Sequence, residues 1–521
     1  MKPSHELFRL IKSLSKSEKR FFKMMSSLQS GDKNYIKLFD AIEKQDVYDE
    51  DSIKEQFKNE TFIKHLPSEK NHLYKLILKS LRLFHSENSV SVILAEHIQS
   101  IEILYNKALY PECGKLVKRA KKIAESHERF YYLFELIKWE KTLLEEEFQS
   151  GRFNHDLYKL VEEEHSVIKK LRNLAEYQIL YNKINYVFRQ GGYVRNDQER
   201  KIVDEILNHE LIKGKNTALS KRAAATCYYI KGLCAIAQNE VESSFENFSL
   251  VVKIFEENPN LIQDIPKQYI KSLSNLLHYY VGTGDYGELF DLIAKMRALG
   301  EKAGFNRIDI KIRIFISTNY FEILAFERQG KFGLALKKVE EVHPKLEEFG
   351  DKLTKEDIVL FDHLFANVYF GAGKYRDALR TLNNILHDSE NSLRQDIFVF
   401  SKMFMLLIHY ELENFDLLNY LLKSTERYFT KQKKQNQVSY DFELALIRSF
   451  KRLIKAGVHT HKATEILKEM KKNLNRVLQN SDERVALEYF DYLTWIDAKI
   501  QGRSYGELKK LTSPPKVNQP A

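Results

Sequence analysis

FANVYFGAGKYRDALRTLNNIL, residues 365–386, carries the reading on which the fold depends. From Tyr369 three residues lead to Gly373, one more to Tyr375, two to Ala378, three to Leu382 and two to Ile385. The same spacing returns as Phe326, Gly330, Phe332, Ala335, Val339 and Val342, and again as Tyr280, Gly284, Tyr286, Leu289, Ile293 and Met296. A period of roughly 40–48 residues is the mark of stacked helix pairs, in which no single hairpin buries its own apolar face.

The chemistry of one unit explains its spacing. A first helix runs up to the glycine, which ends it in a left-handed conformation that most L-residues resist. The Tyr or Phe two positions later fills the gap between helices as the second one begins. A small residue, Ala335 or Ala378, lets the two backbones approach, and the aliphatics that follow at helical spacing form the buried stripe. Weaker copies lie on both sides. Asn239, with Ala235, Val241, Ser244, Phe248 and Val251, keeps the spacing, with Asn replacing Gly. Ala108 with Tyr110, Gly151 with Phe153, Gly191 with Tyr193, Glu413 with Phe415 and Gly457 with His459 mark further turns. About nine or ten units are expected between residues 90 and 510.

These residues resemble the tetratricopeptide repeat family. After 365–386, the nearest matches are FERQGKFGLALKKVEEV (326–342) and YYVGTGDYGELFDLIAKM (279–296). The period is longer than the 34 residues of that family, and the closing proline is mostly missing. The resemblance therefore implies a divergent, long-helix array. The expected architecture is all-α: a helical module over 1–90, a superhelical array of antiparallel helix pairs over 91–510 with its best repeats in 264–390, and a disordered tail over 511–521 that holds three of the nine prolines. In the head, Ser15 and Glu18 frame a capping box before EKRFFKMMSSL, and 33–45 and 71–85 read as amphipathic helices. Thr354 and Asp357 form a second capping box.

Composition agrees with helices and narrows function. The 521 residues include 20 Gly and 9 Pro, too few for the turns of an all-β fold, while 33 Phe and 28 Tyr suit the gaps between packed helices. The net charge of +10 arises from 82 basic and 72 acidic residues, a diffuse excess. Cys113, Cys227 and Cys234 form no metal-like pair and point to a reducing compartment. With no signal-like or membrane-length apolar run, the expectation is a cytoplasmic protein. No nucleotide loop, zinc-protease motif or nucleophile elbow occurs, so neither catalysis nor a cofactor is expected. His459 and His461 have no third ligand nearby and read as a polar loop.

The resemblance places partner contacts on the first helix of each unit, which lines the concave face. His363 and Asn367 of the best unit, with His278, Tyr320 and Arg328, are the candidate peptide-binding residues. An Asn amide is able to hold an extended backbone through both its donor and its acceptor. A protein or peptide partner is therefore expected. The alternative is a nucleic-acid-binding transcriptional regulator with Lys16, Lys19, Arg20 and Lys23 in a DNA-binding head and the array as sensor. The basic stretches 115–129 and 451–476 would also suit phosphate, but they lack interleaved aromatics and read as solvated faces.

Overall fold

The computed structural model describes residues 5–27, 34–85, 89–146, 153–191, 194, 196–302, 304–387, 394–436, 439–457, 460–480 and 483–512, with backbone alone for 153–155, 189–191 and 435–436. Gly151, Gly192, Tyr193, His459 and the tail from residue 513 lie outside them. Among the described residues there are 27 α-helices and no strand. The chain divides into two compact units, Met1–Leu157 and Tyr158–Ala521. The boundary suggested by the sequence at residue 90 falls inside the first of them.

The first unit contains α1 (Glu6–Ser13), α2 (Lys16–Ser27), α3 (Asn34–Lys44), α4 (Glu50–Gln56), α5 (Leu66–Phe84), α6 (Val90–Asn106), α7 (Tyr110–Ser126) and α8 (Phe130–Glu146). Leu7, Ile11, Phe22, Leu38, Phe39, Ile42, Leu73 and Ile77 come together from α1, α2, α3 and α5 as one core. The capping box that opens α2 is present: Glu18 accepts from the Ser15 N–H at 2.7 Å, and Ser15 Oγ accepts from the Glu18 N–H at 3.2 Å. Helices α6, α7 and α8 pack each on the next.

The division falls within α9 (Phe153–Gly191), after which the second unit continues with α10 (Asp197–Leu207), α11 (Glu210–Lys213), α12 (Lys221–Ala237), α13 (Val241–Glu257), α14 (Pro259–Asp264), α15 (Pro266–Thr283), α16 (Tyr286–Leu299), α17 (Ile308–Arg328) and α18 (Phe332–Phe349). Then come α19 (Lys355–Gly371), α20 (Tyr375–Leu386), α21 (Gln395–Glu411), α22 (Phe415–Asn436), α23 (Asp441–Ala456), α24 (His461–Val477), α25 (Ala486–Tyr489), α26 (Tyr492–Ile500) and α27 (Tyr505–Thr512). The turn signals at 151 and 191 suggest a helix pair between them, yet α9 runs as one helix of 39 residues. No Gly or Pro interrupts it before Gly191, and Tyr177, Leu180, Ile184 and Val187 hold one buried stripe at helical spacing.

Several of the turns between paired helices share one hydrogen-bond pattern, whereas the turn at Gly284 has only the shorter bond, to Val281 O at 3.3 Å. Gly330 (φ +65) ends α17; its N–H reaches Glu327 O at 2.9 Å, and the Lys331 N–H reaches Phe326 O at 2.8 Å. Gly373 (φ +74) ends α19 likewise, with Gly373 N–H to Phe370 O at 2.9 Å and Lys374 N–H to Tyr369 O at 2.8 Å. This is the glycine cap in which two orphan carbonyls are satisfied at once. Glu240 N–H to Ala235 O, Asn414 N–H to His409 O and Leu109 N–H to Leu104 O repeat its longer bond, around Asn239, Glu413 and Ala108, all with positive φ. The first residue of the sequence pattern thus supplies the carbonyl that accepts the longer bond, four positions before the left-handed residue. Ala335 and Ala378 are fully buried, and Leu289, Val339 and Leu382 line the same stripe.

Packing is between neighbours: α12 on α13, α15 on α16, α17 on α18, α19 on α20, α21 on α22 and α23 on α24. The first helices also meet one another, α15 with α17, α17 with α19 and α19 with α21. The last elements depart from this order. The segment from α25 to α27 folds back onto α17, α19 and α21, where Phe490 contacts Phe370 and Phe404 at ring separations of 5.3 and 5.0 Å, and Tyr505 meets Phe332 and Phe370 at 6.1 and 5.8 Å. Trp495, fully buried, donates its indole N–H to Glu411 at 2.7 Å.

Candidate functional site

His278 on α15, Tyr320 and Arg328 on α17, and His363 and Asn367 on α19 all line one cavity of about 630 Å3. They come from three first helices that lie side by side, and each faces the same space because helical residues three to four apart share a face. The turn before α13, with Asn239, Glu240 and Glu242, edges one end. Arg394, which precedes α21, edges another. A volume of this size is that of a small-ligand or short-peptide pocket.

The remaining wall is made by residues that the repeat pattern does not mark. Glu488, Tyr489, Phe490, Asp491 and Lys509 line the cavity from the returning segment. Two of the expected side chains grip this segment through its main chain. Asn367 Nδ2 donates to Tyr489 O at 3.1 Å, and Arg328 Nη2 donates to Glu488 O at 2.7 Å. Phe490 is fully extended there, with φ −159 and ψ 146. The Asn367 amide also donates to His363 Nε2 at 3.2 Å, so that nitrogen carries no proton and the imidazole is the Nδ1–H form. Burial, with Arg394 nearby, pushes the His363 pKa down to about 3 and keeps the ring neutral. Both amide hydrogens of Asn367 are then used. Its Oδ1 is buried and accepts no hydrogen bond, a state that costs about 1–3 kcal/mol of desolvation unless a donor arrives.

Tyr489 ties the segment to the basic end. Its ring stacks on Phe400 at 5.2 Å and 23°, its edge meets His363 at 5.8 Å, and its hydroxyl donates to Asp396 Oδ2 at 2.5 Å. Asp396 is clamped by Arg394 through Nε at 3.0 Å and Nη2 at 2.7 Å. Burial alone would raise its pKa; the Arg394 charge and the hydrogen bonds from Arg394 and Tyr489 outweigh that and hold it below the usual carboxylate range. Arg394 itself sits at φ 55 and ψ 55, a left-handed backbone for a non-glycine residue. Such strain, of order 1–3 kcal/mol, persists where surrounding contacts fix it.

Among the described residues no group of His, Cys, Asp and Glu has the makings of a metal site. All three cysteines are buried thiols, and burial pushes Cys234 up to about 12. No described helix is long and apolar enough to cross a membrane. Some cations of the head and of the two basic stretches are tied to carboxylates. In the head, Lys19 pairs with Glu43 at 3.1 Å and Lys23 with Asp40 at 2.8 Å. Lys121 meets Glu140 at 2.5 Å, Lys451 meets Glu426, Arg452 meets Glu469 at 2.7 Å and Lys471 meets Asp497 at 2.7 Å.

The signal that was available for the missed wall is the loss of period after residue 480. There Tyr489, Phe490, Tyr492 and Trp495 crowd in and beside short helices, ahead of a glycine turn, Gly502, whose spacing departs from the pattern. No protein-family model matches the chain, and no curated protein matches it closely enough to stand as a relative.

Proposed function

We propose that the chain is a non-catalytic scaffold: a superhelical stack of long, tetratricopeptide-like hairpins that holds an extended protein or peptide segment in the groove of its first helices. What supports this reading above all is the way Asn367 and Arg328 already hold main-chain carbonyls, those of Tyr489 and Glu488. Main-chain contacts give an extended ligand affinity whatever its sequence, and side-chain pockets then add choice. The neighbour pattern α15–α17–α19–α21 is also the one that stacked hairpins produce. The unsatisfied Oδ1 of Asn367 leaves room for one more backbone N–H from an incoming segment.

The test is selection of displayed random peptides, about ten residues long, on the purified full chain. Enriched peptides are expected to lose at least ten-fold in affinity on the His278→Ala and Arg328→Ala chains, with binding that tolerates salt. Failure to enrich any peptide, or equal binding to the variants, refutes the groove. Retention on double-stranded DNA that falls steeply with salt would favour the regulator instead.

A further inference from the structure

The cavity wall contains an aromatic plug with the features of a bound ligand. Tyr489 is half-buried and Glu488 exposed, while Val485, Ala486 and Phe490 on either side are buried. The backbone is therefore anchored at both ends of a short exposed stretch, and one phenol ring enters the space between α19 and α21. That ring is recognised on each of its surfaces: Phe400 against its face, His363 at its edge and Asp396 at its hydroxyl. The Asp396 acceptor is in turn fixed by a bidentate guanidinium from Arg394. Packing alone requires no such arrangement. A ring that lacks the hydroxyl leaves Asp396 paired with Arg394 but loses one charge-assisted hydrogen bond, worth about ten-fold or more in affinity. Tyr489 is also bonded by the groove through its carbonyl, from Asn367. Side chain and main chain are thus both held at the last residue of α25, where the chain leaves the helix for the extended Phe490.

We propose that the space between Phe400, His363 and Asp396 is a tyrosine-binding subsite of the groove, occupied in the free protein by Tyr489 and taken over by a tyrosine of the partner when Tyr489 swings out. This rests on the groove reading and adds to it the ligand class and the means of access. The fully buried Trp495 and Tyr505, with Phe490, stay docked throughout, so only the stretch at 487–489 moves. The exchange trades like contacts for like. The partner's net gain comes from the rest of its length along α15 and α17.

Two measurements test it on the full chain. In the Tyr489→Ala chain the subsite is vacant, and a vacated core cavity accepts the small molecule that matches it. N-acetyl-tyrosinamide is expected to bind this variant at least ten-fold more tightly than it binds the natural chain, and at least ten-fold more tightly than N-acetyl-phenylalaninamide does. A folded variant that binds neither, or both equally, overturns the subsite. Should the variant not fold, hydrogen exchange of the natural chain decides. Adding a library-selected tyrosine-containing peptide is expected to speed exchange at 487–489 at least ten-fold while 492–500 stays protected; unchanged exchange overturns the takeover. Selected peptides that bind without moving 487–489 leave the groove standing and remove the takeover. A vacated subsite that prefers the tyrosine amide while no peptide is ever selected does the reverse, keeping the subsite and removing the groove.

Discussion

Replacing Gly330 and Gly373 separately by alanine separates the two demands a turn glycine meets. Both residues are left-handed, at φ +65 and φ +74, so each alanine pays about 1–2 kcal/mol for its backbone alone. At Gly373 the added Cβ meets nothing within 4 Å, and the cost ends there. At Gly330 it would lie 2.5 Å from Lys510 N and 2.6 Å from Lys510 Cα. Main chain has no rotamer to give, so α27 must shift, at a further 1–3 kcal/mol or so by the usual scale of overpacking. A chain of two compact units has no single unfolding free energy, so the readout is local. Hydrogen exchange over 505–512 is expected to quicken about ten- to hundred-fold in Gly330→Ala relative to Gly373→Ala, since 1.4 kcal/mol is ten-fold. Equal exchange in the two variants would show that α27 does not rest on the turn after α17, and the account of how the returning segment closes the cavity would fail.

Three other perturbations follow from the same packing. His363 is neutral when folded, with its pKa near 3, and titrates near 6.5 when unfolded. Below pH 6.5 the unfolded chain therefore binds the extra proton, and stability falls with pH by up to about 1.4 kcal/mol per unit; His363→Gln, which keeps an acceptor for Asn367, is expected to flatten that slope in thermal melts between pH 7 and 5. Asp362 behaves oppositely, because burial raises its carboxyl from 3.8 to about 6: its ionisation destabilises the fold in full above pH 6, and the penalty fades as pH falls from 6 to 3.8, so Asp362→Asn is expected to raise the melting temperature at pH 7.5 and to have little effect at pH 4. The three buried thiols should resist a soluble aromatic disulfide in the native chain and react once urea unfolds it; fast labelling without urea would contradict their placement.

The turns were the legible part of the fold because their physics is local. A left-handed residue, the two bonds that satisfy the helix end and the aromatic that follows all lie within about seven positions, and Gly284, Gly330 and Gly373 announce themselves. Asn239, Ala108 and Glu413 have the same positive φ without glycine, and there the aliphatic or aromatic two residues on gave the position away. Glu128 is a further left-handed turn, with Arg129 N–H to Ala124 O at 2.8 Å. Phe130 stands two residues beyond it, at the familiar distance, but Glu is a poor advertisement for this conformation. Gly502 closes α26 with its own longer bond, Arg503 N–H to Ala498 O at 2.9 Å; its aromatic, Tyr505, comes one residue late, which hid it. The helix α9 failed differently: two turn signals at the right separation said nothing about the uninterrupted stripe between them.

The site divides along the same line. His278, Tyr320, Arg328, His363 and Asn367 line one cavity because α15, α17 and α19 lie side by side and turn one face toward it. Their partners lie 122 residues on from Asn367 and 160 on from Arg328, separations that no period of forty-odd residues encodes. A repeat written only in nearest-neighbour contacts also has no reason to stop, and needs a capping element with a different sequence. Residues 483–512 break the period and carry aromatics and a buried tryptophan beside one short hairpin, α26 with α27. They turn back onto α17, α19 and α21. The residues that were hardest to read therefore close the cavity, and Tyr489 stands among them with its carbonyl on Asn367 Nδ2 and its hydroxyl on Asp396.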